Sequence, residues 1–72
     1  MNDNEIRACI SLENRLNVLM KCRYNTEFAI DQAKNEVNQQ EIDFLNSYLD
    51  SIDKQIKEIN TKLRLLKFID KL

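Results

Sequence analysis

The chain has 72 residues, a formal net charge of −1, and neither glycine nor proline. This length allows one domain, residues 1–72, whose small core is only marginally stable without a disulfide, a metal or a partner chain. The sequence has no histidine and no Cys-x-x-Cys pair, which argues against a metal site, and no cofactor is expected.

Cysteine positions and the N-terminal residues indicate the compartment. Cys9 and Cys22 would lie about 20 Å apart on one helix, far beyond the reach of a disulfide, so we expect two free thiols in a reducing environment. Acidic Asp3 and Glu5 stand where a secretory signal carries basic residues, and the apolar runs are too short to cross a bilayer. The sequence therefore predicts a cytoplasmic protein without membrane insertion.

The first predicted element is a helix over about residues 4–35. Its apolar residues recur at alternating intervals of three and four, the spacing that forms the seam of a coiled coil. Arg23 and Thr26 interrupt this repeat. The full set is Cys9, Leu12, Leu16, Leu19, Arg23, Thr26, Ile30, Ala33 and Val37.

A turn is predicted at about residues 36–38, within the most polar segment of the chain. Asn38, with Glu41 three residues later, has the pattern of a helix N-cap and its capping-box partner. The second helix is predicted over about residues 39–70, and its seam is uninterrupted. That seam consists of Ile42, Leu45, Leu49, Ile52, Ile56, Ile59, Leu63 and Leu66.

The two repeats predict an all-α fold, an antiparallel two-helix hairpin of the coiled-coil type. Folding the chain at Val37 and Asn38 pairs the seams in eight layers, from Cys9 with Leu66 to Ala33 with Ile42. The two residue numbers in every layer sum to 75, so one turn position satisfies all eight. The alternative is a single long helix that forms a coiled-coil dimer.

The chain has more apolar residues than a two-helix seam can bury. The last turns are apolar nearly all the way round, which is typical of buried rather than solvated helix. A partner, either another protein or a second copy in a homo-oligomer, is expected to cover the surplus. The predicted partner-binding residues are Phe44, Tyr48, Leu65, Phe68, Ile69, Leu72, Met20 and Tyr24.

Charge is unevenly distributed along the chain. Residues 1–26 carry a net charge of +1, residues 27–53 carry −6, and residues 54–72 carry +4. In the hairpin this makes the open end basic and the turn end acidic. One alternative function is therefore a homodimeric four-helix bundle that binds RNA or DNA through its basic end. Another is a small phage or mobile-element regulator of a host protein. No arrangement typical of an enzyme is found.

In length and helical pattern the chain resembles the small helical-hairpin co-chaperones of bacterial type III secretion needle subunits. The resemblance covers the whole length and includes Ala29 and Ala33 late in the first helix, and the aromatic Phe44 at the start of the second. It implies a cytoplasmic co-chaperone that binds a second, helical-repeat chaperone. Together the two would cover an amphipathic helix of the export substrate and prevent its polymerisation.

Overall fold

A computed structural model, which describes residues 1–70, shows two helices joined by a tight turn. Helix α1 spans Asp3–Asn35 and helix α2 spans Gln39–Asp70. They run antiparallel in a rod with dimensions of 53 × 15 × 13 Å. The predicted all-α hairpin is confirmed, and the continuous long helix is not the structure of this chain.

Both helices begin with the same Asn-x-x-Glu arrangement. At the start of α2, the Glu41 amide donates to the Asn38 side-chain oxygen at 3.2 Å, and the Asn38 side-chain amide donates back to Glu41. Asn2 and Glu5 form the same pair of hydrogen bonds at the start of α1. In each case a side-chain oxygen satisfies a backbone amide that has no partner within the helix, which fixes where the helix begins.

The turn contains a valine where proteins usually place glycine. Val37 has φ of 54°, in the left-handed region, and its side chain is 85% exposed. The Asn38 amide donates to the Ala33 carbonyl, and the Val37 amide donates to that of Lys34. These two bonds define a Schellman motif, whose left-handed residue costs about 1–2 kcal/mol when it is not glycine. The turn therefore holds local strain that the packing of the helices must offset.

The eight predicted layers coincide with the buried stripe of the hairpin. All sixteen of their residues are buried or half-buried, and Ile52, at 2% exposure, is the most enclosed large side chain. Towards the open end, Cys9, Ile59 and Leu63 form an apolar cluster against which four leucines pack. The buried Thr26 hydroxyl donates to the Cys22 carbonyl at 2.7 Å, so this polar residue fits the seam without an unsatisfied group.

Neither helix in the described part of the chain is apolar enough, over sufficient length, to cross a lipid bilayer.

Cys9 is buried in the seam and Cys22 is half-buried beside it, and both are free thiols.

Candidate protein-binding surface

One side of the hairpin carries an open groove between the helices near the turn. Its walls are the rings of Phe44 and Tyr48 on α2, and its floor on α1 is formed by Cys22 and Ala29. The small α1 side chains leave a hollow of about 340 Å³ beside the two exposed rings. An apolar side chain of another molecule would contact both rings and the α1 backbone there.

The same side of α2 is apolar again near the open end. Leu65 and Ile69 lie three heptads beyond Phe44 and Tyr48, and each heptad returns a side chain to the same side of a coiled coil. Both are exposed, as is Val18 on α1. We call this side, with Phe44, Tyr48, Leu65 and Ile69, the groove side.

A second apolar strip lies on the other side of α1. Met20, Tyr24 and Phe28 follow one another at intervals of four residues and are all exposed. Met20 and Tyr24 each lie two residues from Cys22, which turns them about 200° away from the groove. We call these three residues the α1 ridge.

Phe68 belongs to a third location at the open end. Its ring lines a hollow together with the seam residues Leu16 and Leu63 and four polar or charged side chains. This hollow is more polar than the groove, although apolar groups contribute to both.

The structure thus divides the predicted partner-binding residues instead of gathering them into one patch. All seven that lie within the described residues are exposed, by 47% to 72%. Phe44 and Tyr48 share the groove, Leu65 and Ile69 extend its side, Phe68 lies in the open-end hollow, and Met20 and Tyr24 lie on the α1 ridge. Leu72 is outside the described residues.

A charged cluster crosses the hairpin at mid-length. The Arg23 guanidinium contacts Asp53 on α2 and Glu27 on its own helix, each at 2.7 Å. The hydrogen bond to Asp53 and the two carboxylate charges raise the pKa of Arg23. Arg23 occupies a seam position, and its long side chain leaves the seam to reach these carboxylates. The cluster links the two helices at mid-length by an ion pair between partly exposed side chains.

Sequence reasoning missed three features of this surface. The Arg23–Asp53 pair could have been inferred from the register, because Asp53 is the residue after Ile52, which shares a layer with Arg23. The Asn2–Glu5 cap has the same pattern as the predicted Asn38–Glu41 cap. The third is the separation of the α1 ridge from the groove side, since the seam alone already places Phe44 and Tyr48 on the side of Cys22 and Ala29.

Comparisons of the chain with protein-family models, with curated proteins and with solved structures find no match in any of the three.

Proposed function

We propose that this chain is a protein-binding helical hairpin whose exposed apolar sides cover amphipathic helices of partner proteins. One observation carries the proposal: all five aromatic residues of the chain are exposed. They are Tyr24, Phe28, Phe44, Tyr48 and Phe68. The seam is built mainly from aliphatic residues, so these rings contribute little to the core. In protein interfaces, aromatic side chains are prominent among the residues that contribute most of the binding energy.

The extent of the exposed surface supports the same function. Among the described residues, thirteen large apolar side chains are exposed, including the five rings. Single exposed apolar residues are common, but groups at intervals of four along a helix form continuous strips that favour association. A partner helix that lies in the groove or along the α1 ridge would remove such a strip from water.

In its specific form, the proposal is a cytoplasmic co-chaperone of type III secretion. The hairpin would bind a second, helical-repeat chaperone and help to keep a needle subunit soluble and unpolymerised. The resemblance in length and helical pattern supports this form, and so does the presence of two separate apolar sides. A hairpin with two such sides is suited to contact with two proteins at once.

The test is to purify the tagged full-length chain from its native cell and to identify the bound proteins. We expect a stoichiometric complex with a helical-repeat chaperone and an export subunit. Reconstitution from purified components should then delay polymerisation of that subunit, measured by light scattering. A chain that binds neither protein in the purified system contradicts the specific form.

Matched double variants assign the two sides. Phe44→Ser with Tyr48→Ser alters the groove, and Met20→Ser with Tyr24→Ser alters the α1 ridge. Each pair should retain the helicity of the wild type and lose one partner at least about tenfold more than the other. Equal binding by both variants would contradict the proposed surfaces. Recovery of RNA, with binding that falls steeply as salt rises, would favour the nucleic-acid alternative.

A further inference from the structure

The two halves of the rod carry opposite charges. On α2, residues 39–53 contain four acidic and no basic side chains, whereas residues 54–67 contain five basic and one acidic. Residues 7–21 of α1 lie beside the basic half of α2 and add three basic and one acidic side chain. The rod is therefore acidic towards the turn and basic towards the open end.

Four cations of the basic half form a patch on α2. Lys54, Lys57 and Lys62 line a hollow of about 470 Å³, together with Glu58 and one threonine. Arg64 follows Lys57 by one heptad and so lies on the same side of the helix. We call the four cations the basic patch. All are exposed, and within the described residues none of them forms an ion pair, so their charge is available to an anionic partner.

Beyond the basic patch, the end of α2 is apolar and exposed. Leu65, Phe68 and Ile69 are 56%, 59% and 54% exposed. Their side chains spread over an arc of about 100°, from the outward side of the helix to the groove side. An apolar arc beside lysine and arginine is typical of helices that lie at a lipid interface.

We infer that the open end of α2 binds the surface of an anionic lipid bilayer. Leu65, Phe68 and Ile69 enter the boundary between headgroups and acyl chains, while the basic patch contacts the lipid phosphates. Lysine and arginine stems lie along apolar material and keep their charged groups at the headgroups. Attachment of this kind is peripheral and needs no helix that crosses the bilayer.

The order of zones along α2 matches the order of layers in an anionic bilayer. From the open end, the helix is first mostly apolar, then basic and then acidic, over residues 65–69, 54–64 and 39–53. When the apolar zone reaches the acyl chains, the basic zone lies at the negative headgroups. Repulsion holds the acidic zone away from the surface. The rod is therefore tilted with its turn raised, and the groove near the turn stays open to a partner.

A bilayer accounts for the charge and the apolar end together. A nucleic acid would contact the basic patch, but nucleic-acid surfaces combine cations with aromatic stacking partners. The aliphatic Leu65 and Ile69 would then stay in water. The inference goes beyond the proposed function and does not depend on it.

Co-sedimentation of the full chain with vesicles tests the attachment. We expect binding to vesicles of phosphatidylcholine and phosphatidylglycerol in equal parts, at least about tenfold tighter than to phosphatidylcholine alone and weakened by salt. Absence of binding to the anionic vesicles at low salt, or equal binding to both kinds, overturns the inference. Tighter binding to an oligonucleotide than to anionic vesicles of equal phosphate concentration also overturns it.

Two pairs of lysine substitutions test the basic patch. Lys57→Gln with Lys62→Gln alters the patch, and Lys21→Gln with Lys34→Gln removes the same charge from exposed positions on α1. The first pair should lower the vesicle partition coefficient about 30-fold, and the second less than about threefold, with wild-type helicity in both. Equal effects would show that net charge alone drives the binding, which overturns the inference.

The chain has no tryptophan, so an introduced indole reports which part of the rod meets the lipid. Phe68→Trp and Phe28→Trp are matched, because the two rings are 59% and 58% exposed and lie in opposite halves of the rod. On anionic vesicles the emission of the Phe68→Trp variant should shift to shorter wavelength and be quenched by brominated acyl chains. That of the Phe28→Trp variant should not change. Quenching of both variants equally, or of the Phe28→Trp variant alone, contradicts attachment through the open end.

Discussion

The seam and the groove side both carry large apolar side chains but differ in what covers them. Ile52 in the seam is 2% exposed because α1 lies directly over it, whereas Phe44, only eight residues earlier on the same helix, is 70% exposed. Folding of the hairpin buries the seam and leaves the groove side exposed to solvent. Apolar residues on one helix therefore divide into those that fold the chain and those that are available to another molecule.

The largest expected effect is a charge placed in the seam. Ile59 is buried in the apolar cluster near the open end, so Ile59→Asp leaves a carboxylate without a partner. We expect loss of the cooperative folded state, measured by circular dichroism and urea titration, because the cost exceeds the stability of so small a domain. Phe44→Asp is the control outside the seam and should retain wild-type helicity. Unfolding of both variants would mean that the two surfaces are not distinct.

Removal of apolar volume gives a smaller and graded comparison. Ile52→Ala creates a cavity in the seam and should lower the free energy of unfolding by about 3 kcal/mol. Ile10→Ala makes the same chemical change at an exposed position and should alter the free energy of unfolding by less than about 0.5 kcal/mol. Urea unfolding at one protein concentration measures both. Equal losses would show that exposed residues support the fold as much as the seam does.

The strained turn predicts a gain in stability. Val37→Gly removes the side chain from a left-handed position, although glycine also gains entropy in the unfolded chain. The net result should be an increase of about 1 kcal/mol in the free energy of unfolding. Val37→Ala keeps a Cβ atom and so keeps most of the strain, and serves as the control. Equal free energies of unfolding for the Val37→Gly and Val37→Ala variants would contradict a left-handed conformation at this position.

Loss of a helix cap has the smallest expected effect. Asn38→Ala removes the acceptor for the Glu41 amide and should lower the free energy of unfolding by about 1 kcal/mol or less. Gln40→Ala, two residues later and outside the cap, should be close to neutral. Thermal unfolding followed by circular dichroism compares the two, and a loss no larger for Asn38→Ala than for Gln40→Ala would exclude a stabilising cap.

Much of the fold was predictable because its determinants are local. The alternation of three and four residues identified the seam from Cys9 to Leu66, and a single turn position aligned both helices. The predicted bounds, about 4–35 and 39–70, lie beside the observed Asp3–Asn35 and Gln39–Asp70. The Asn38 cap was visible for the same reason, since it depends on two residues three positions apart.

Apart from the Asn2–Glu5 cap, which repeats a short pattern, the features that sequence reasoning missed depend on geometry that no short pattern encodes. A glycine would have marked the left-handed residue of the Schellman turn, but Val37 takes this conformation because the helices on either side hold it there. The Arg23–Asp53 contact joins residues thirty positions apart and appears only once the register is applied. The partner-binding residues were predicted as one set, yet the structure distributes them over the groove side, the α1 ridge and the open-end hollow.

The central claim is that the hairpin folds through its aliphatic seam, while its aromatic rings are available for binding. The most direct measurement is the far-ultraviolet circular dichroism of a variant in which all five aromatic residues are replaced by glutamine, which favours helix. The account predicts helicity equal to that of the wild type, because every ring is exposed. Loss of the helical signal in this variant would contradict the account, since it would show that the rings hold the fold together.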